Sequence, residues 1–150
     1  DWPIIVLLGA MFPLGHALES TGGAELIADQ LLLLSRHFPP MISIGALMAG
    51  TMLLSNMVNN SAAAVLMAPI AISLAGGMGA SVDPFLMAVA IGASCAFLTP
   101  IGHQSNILVM APGGYRFGDY WRLGLPLSVL TIITAVPLIM YFWPLSTGGP

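Results

Sequence analysis

Apolar residues run along this chain in blocks separated by short polar, Gly or Pro breaks. The first block covers residues 2–18, with Trp2 suited to an interfacial anchor. A spanning helix needs about 20 residues to cross about 30 Å of hydrocarbon. A transmembrane helix is therefore expected over residues 1–19, closed by Ser20-Thr21-Gly22-Gly23. Over residues 22–37 the pattern turns amphipathic. Glu25, Asp29 and Arg36 share one helical face, while Leu26, Ile27, Leu31 and Leu34 face elsewhere. That predicts an arm helix lying along the interface. After Pro39-Pro40, residues 41–58 and 62–74 are apolar and only Asn59-Asn60-Ser61 separates them. The stretch 40–76 reads as a helical hairpin, ended by Gly76-Gly77-Met78-Gly79. Residues 85–98 and 107–111 flank a second polar break from Thr99 to Asn106, which predicts a broken helix over 84–112. A polar loop leads into residues 123–143, long enough to span despite Pro126 and Pro137.

Composition narrows the class. Of 150 residues, 57% are apolar and 6% charged, against roughly 25% charged in soluble domains. A chain this short cannot bury so much apolar side chain and still cover itself with polar groups. The expected class is all-α integral membrane, and the bilayer is the first partner. A formal charge of −3 with no lysine and no basic cluster argues against nucleic acid. Cys95 is the lone cysteine and leaves the redox compartment unread. Asp1 opens the chain and no basic region precedes the first block, so no signal peptide is expected and the chain reads as a piece of a longer protein.

The two breaks carry the candidate chemistry. Both are polar without lysine or arginine. In lipid, irregular backbone is tolerated only inside protein or beside a water-filled cavity. Paired breaks in membrane helices point to a transporter site near the midplane. Asn60 or Ser61 can cap a helix starting at Ala62, and Ser105 or Asn106 one starting at Ile107. Helix N-termini attract anions. Pro100 frees a carbonyl near Ala96, and sodium is held by such neutral oxygens. Plainer readings are an ordinary loop at Asn59-Asn60-Ser61 and a Pro/Gly kink at 99–106. Both breaks together favour transport.

The run Ser55-Asn56-Met57-Val58-Asn59-Asn60-Ser61-Ala62-Ala63-Ala64, ending in Met67-Ala68-Pro69-Ile70, resembles the second hairpin motif of divalent anion/sodium symporters. These belong to the citrate-transporter-like ion transporter superfamily. The run Leu98-Thr99-Pro100-Ile101-Gly102-His103-Gln104-Ser105-Asn106, followed by Pro112-Gly113-Gly114-Tyr115-Arg116-Phe117-Gly118-Asp119-Tyr120, is similar to their unwound helix and following loop. The resemblance covers nearly all of the chain. It implies one half of a two-inverted-repeat fold, with a re-entrant hairpin and a broken transmembrane helix. It also implies a missing first repeat, a homodimer when full length, and a bacterial inner (plasma) membrane. By this match Asn60 and Ser61 contact a small anionic substrate, with Thr99, Pro100, Gln104, Ser105 and Asn106 opposite. A sodium ion sits between Ser55, Asn59, Asn60 and the carbonyl of Leu98, and no organic cofactor is implied. Asn59 stands where the family tip has its first Ser, and the unwound loop is longer than in dicarboxylate carriers. Sulfate, another oxyanion and a dicarboxylate therefore all stay open.

The remaining reactive residues fit other roles. His103 in the unwound loop could couple protons, or bridge loop carbonyls as a neutral ring. His16 is expected to pair with Glu19, and His37 is interfacial. The histidines lack metal-ligand spacing. Gly92-Ala93-Ser94-Cys95-Ala96 invites a nucleophile reading with His103 as base, but Ala96 stands where the elbow requires a second Gly. Small residues there suit close helix packing, and Cys95 is expected to pack in the same way. The function expected is sodium-coupled anion transport, not catalysis. The alternatives are a sodium/proton antiporter or arsenite-type permease of the same superfamily, an intramembrane hydrolase, and a channel-like structural subunit.

Overall fold

The computed structural model describes residues 13, 17, 20–23, 26, 29, 30, 33 and 39–146, apart from the side chain of Gln104. The first transmembrane helix, most of the arm helix, His16, Glu19, Arg36 and His37 lie outside the described residues. At the first break, Thr21 and Gly22 form a turn, with the Thr21 hydroxyl donating to the Ala17 carbonyl and Gly22 at φ 73°.

Five α-helices follow: α1 (Pro40–Ser55), α2 (Asn60–Met78), α3 (Asp83–Ala93), α4 (Gln104–Met110) and α5 (Tyr120–Phe142). Short 3-10 turns stand at Pro100–Gly102 and Phe117–Asp119. No strand occurs among the described residues. Local chemistry sets the boundaries. Pro40 opens α1, where a missing N–H costs nothing. Asn59 caps α2, its side-chain oxygen accepting the Ala62 N–H at 2.7 Å. Gly79, at φ 61°, closes α2: the Ala80 N–H reaches the Ala75 carbonyl and the Gly79 N–H that of Gly76. This paired closure requires a left-handed residue, which glycine adopts without a Cβ penalty. Two helices, Asn60–Met78 and the stretch Phe117–Phe142, are long and apolar enough to cross a membrane.

The core lies where α1, α2, α3 and α5 meet. Ile44, Leu47, Met48 and Met52 of α1 pack with Ile70, Ala71 and Leu74 of α2, Phe85, Ala88 and Val89 of α3, and Val136 and Ile139 of α5. Helix α1 makes its broadest contact with α3. That approach depends on Gly92, where a Cβ would lie 2.9 Å from the Met48 carbonyl and 3.0 Å from Thr51. With no hydrophobic drive between helices in lipid, such close backbone contact supplies the association.

Three contacts fix the levels. Ser55, ending α1, reaches the carbonyl of Ala93, ending α3. Gly124, early in α5, lies against the carbonyl of Phe97 just beyond α3. The Ser81 N–H, after α2, donates to the Leu145 carbonyl after α5. So the hairpin tip, the unwound stretch and the first turns of α5 share one level, and the α2–α3 turn shares the other with the end of α5. At 1.5 Å per residue the junction lies about 6 Å from the start of α5 and about 27 Å from its end. The sequence pattern places the two breaks at the midplane. The arms α1 and α2 have 16 and 19 residues, or about 24 and 28 Å.

Candidate functional site

The hairpin tip comprises residues 56–59. Asn59 is spent on the helix cap, so α2 begins at Asn60 and not at Ala62 as the caps in the sequence suggest. Its first two amides, those of Asn60 and Ser61, have no acceptor among the described residues, and the Ser61 side chain is exposed. A 19-residue helix thus presents two N–H groups, a hydroxyl and the positive end of its dipole together.

Behind this end sits Ser55, fully buried. Its hydroxyl lies 2.5 Å from the Ala93 carbonyl and 3.0 Å from Asn60 Oδ1. One hydroxyl carries one hydrogen. The shorter contact takes it, so Ser55 donates to Ala93 and turns its lone pairs toward Asn60 Oδ1. With the Asn60 amide in this orientation, the longer contact is then oxygen to oxygen.

The unwound stretch runs from Ser94 to His103. Its centre is held by Asn56, the residue after α1, which is 3% exposed. Asn56 Oδ1 accepts the N–H groups of Leu98 at 2.8 Å and Thr99 at 3.1 Å. Its Nδ2 donates to the Met52 carbonyl at 2.7 Å, and its own carbonyl accepts the Thr99 hydroxyl at 2.8 Å. Gly102 closes over it, since a Cβ there would sit 3.2 Å from Asn56 Cα. The sequence does not single out Asn56 within the motif, because its partners Leu98 and Thr99 lie 42 and 43 residues away, beyond any local pattern.

Farther along, Asn106 does not cap a helix at Ile107. Helix α4 starts at Gln104, capped by His103, whose Nδ1 accepts the Ser105 N–H at 3.2 Å and lies 2.7 Å from the Ser105 hydroxyl. Asn106 instead donates through Nδ2 to the carbonyls of Ala96 at 3.0 Å and Thr99 at 3.2 Å. The carbonyl near Ala96, expected to be left free by Pro100, is therefore satisfied by an amide. Tyr120 of α5 binds the Asn106 carbonyl at 2.7 Å, tying α4 to α5.

Of the residues singled out in the sequence, Ser55, Asn60, Thr99 and Asn106 enter this polar layer, and Leu98 joins it through its backbone. Pro100 is buried in the 3-10 turn. Ser105 is exposed and engaged with His103, and the Gln104 side chain is not described. A cavity of about 270 Å³ lies beside the layer, between α4, the following loop and α5. Phe97, Val109, Leu123 and Leu127 make it largely apolar; Asn106, Asp119 and Tyr120 give it a polar edge. Asn60 and Ser61 are not in its wall. The hydrolase arrangement is not formed: Ser94 donates back to the Ala90 carbonyl, while His103 is engaged by Ser105. No cluster of metal-binding His, Cys, Asp or Glu occurs among the described residues.

Comparison with known proteins gives a match over residues 1–148 to the citrate transporter family. The chain is 38% identical to the transporter YfbS of Escherichia coli (strain K12), over 95% of this chain and 23% of that protein. It is 36% identical to a transporter of Synechocystis sp., again over 95% of the chain and 23% of the relative. It is 28% identical to sodium/sulfate cotransporter 2 of Chlamydomonas reinhardtii, over 93% of the chain and 16% of that protein. The chain thus spans about a quarter or less of the length of these relatives.

Proposed function

The chain belongs to the citrate transporter family, and from that premise we propose that it forms the second-repeat part of a secondary carrier moving a small anion with sodium. Helices α1 and α2 act as a re-entrant hairpin, and α3 with α4 as the broken helix. The first repeat, carried elsewhere in the full-length protein, completes the cavity, and the whole carrier works as a homodimer in a bacterial inner membrane. The relatives named sodium/sulfate cotransporters support an oxyanion such as sulfate; a dicarboxylate is the other candidate.

The observation that carries this reading is the pair of facing oxygens, Ser55 Oγ and Asn60 Oδ1, 3.0 Å apart at the tip. With the Ser55 proton committed to Ala93, a cation resolves their repulsion. The second lone pair of the capping Asn59 oxygen and the carbonyl of Leu98 complete the neutral oxygen set. The anion takes the opposite side of the same helix end, on the amides of Asn60 and Ser61, the Ser61 hydroxyl and the Thr99-Pro100 turn. Gln104, Ser105 and Asn106 border it. Neutral ligands avoid the cost of a buried charge in lipid. Turning the Asn60 amide over would place Nδ2 against Ser55 and remove the need for a cation. Sodium binding decides between the two. Purified full-length carrier unfolds at a higher temperature as sodium replaces choline if the oxygens form a site, because a ligand of the native state stabilises it. An unfolding temperature indifferent to sodium contradicts the reading.

A further inference from the structure

We propose that Asn56 is a positioning residue that aims the carbonyl of Leu98 at the cation, so that the sodium affinity of this site depends on a side chain that does not touch the ion. The inference rests on the cation site proposed above. Peptide units are planar, and no cis bond occurs among the described residues. In a trans unit the N–H and the C=O leave opposite edges of the plane. Asn56 Oδ1 takes the N–H of Leu98 and the N–H of Thr99. The carbonyls in those same two units, of Phe97 and Leu98, must therefore point away from Asn56. The Phe97 carbonyl does so, lying against Gly124 of α5. The Leu98 carbonyl receives no hydrogen bond among the described residues.

The grip has no slack. The bond from Nδ2 to the Met52 carbonyl fixes which end of the Asn56 amide is oxygen. The Thr99 hydroxyl adds a third tie, to the Asn56 carbonyl. Gly102 and Ala96 close the remaining side: a Cβ at Gly102 would stand 2.8 Å from Ala96 Cβ and 3.3 Å from Asn56 Oδ1. Asn56 is also chain neighbour to Ser55, itself a ligand of the proposed site. One residue thus sets the distance between the hairpin's ligand and the unwound stretch's ligand.

The test is sodium-dependent thermal unfolding of the purified full-length carrier, with sodium chloride against choline chloride as the probe. Removing a supporting contact of this kind typically weakens metal affinity by about 10–100-fold. Asn56→Ala is expected to raise the half-saturating sodium concentration by at least about tenfold. Asn56→Asp keeps an acceptor for both amides but loses the donor to the Met52 carbonyl and buries a charge, so its half-saturating sodium concentration is expected to lie below that of Asn56→Ala. Gly102→Ala, which crowds Asn56 without removing it, is expected to move in the same direction as Asn56→Ala. It keeps the test decisive where the buried aspartate prevents folding. A merely structural residue lowers the unfolding temperature at zero sodium and leaves the half-saturating concentration unchanged; that result in Asn56→Ala overturns the inference alone. A wild-type carrier that ignores sodium overturns it together with the proposed function.

Discussion

Ser55 and Ser61 lie on either side of the hairpin tip, at the end of α1 and the start of α2, and have opposite environments. Ser55 is fully buried with two oxygen neighbours, whereas Ser61 is exposed with no bonded partner among the described residues. Their alanine variants should therefore separate. Ser55→Ala leaves the Ala93 carbonyl without a donor, a loss of about 1–3 kcal/mol, and should raise the sodium requirement more than the anion KM. Ser61→Ala should change stability by no more than about 0.5 kcal/mol and raise the anion KM more than the sodium requirement. Thermal unfolding and uptake kinetics on the full-length carrier check both. At this scale the sequence exposed polar residues able to cap at both breaks but misplaced the caps by one to three positions. Asn59 caps instead of Asn60 or Ser61, and His103 caps instead of Ser105 or Asn106. Any Asn, Ser or His in a break can cap, and only the backbone path selects one.

Among the elements, helix packing turns on small residues. A methyl group at Gly92 would press on the Met48 carbonyl and Thr51 at the α1–α3 contact. Gly92→Ala should destabilise by about 1–3 kcal/mol, the usual cost of overpacking. Gly76 lies inside α2, and a methyl group added there would meet nothing within 4 Å. Gly76→Ala should stabilise by about 0.5–1 kcal/mol through lower backbone entropy in the unfolded chain. Unfolding curves of the two variants should move in opposite directions; a shared direction contradicts the packing described. The pattern of apolar blocks located the helices because each break is polar or rich in Gly and Pro. It could not give the pairing of α1 with α3, since helices with apolar residues on every side carry no preferred face. Gly92 was legible as a close-packing residue, but not which helix it meets.

Across the whole molecule, α5 runs from the polar layer to the α2–α3 turn, where the Ser81 N–H meets the Leu145 carbonyl. Cysteines placed at Ser81 and Ser146, with Cys95 replaced, should be labelled from one face of the membrane, and one at Gly118 from the other. Two arginines, Arg116 and Arg122, against Arg36 lead us to expect the Gly118 side in the cytoplasm, and the labelling checks it. Labelling of all three from a single side would contradict the spanning role of α5. The sequence carried the membrane class and the two-break plan, since both follow from composition and local pattern. The level that the polar layer shares with the first turns of α5 did not follow, because it is set by contacts between distant segments such as Gly124 with Phe97.

The most direct measurement is uptake of labelled sulfate and of a labelled four-carbon dicarboxylate by full-length carrier in proteoliposomes, across a sodium titration, for wild type and Asn60→Ala. Asn60→Ala removes the side-chain oxygen that faces Ser55 and keeps the backbone N–H at the start of α2, so it acts on sodium directly and on the anion through the lost coupling. Sodium is expected to tighten apparent anion affinity by roughly 5–150-fold, and by linkage the anion tightens sodium equally. Asn60→Ala should weaken both and reduce that coupling. Uptake of either anion that is indifferent to sodium would contradict the central claim and favour a proton-coupled cycle centred on His103.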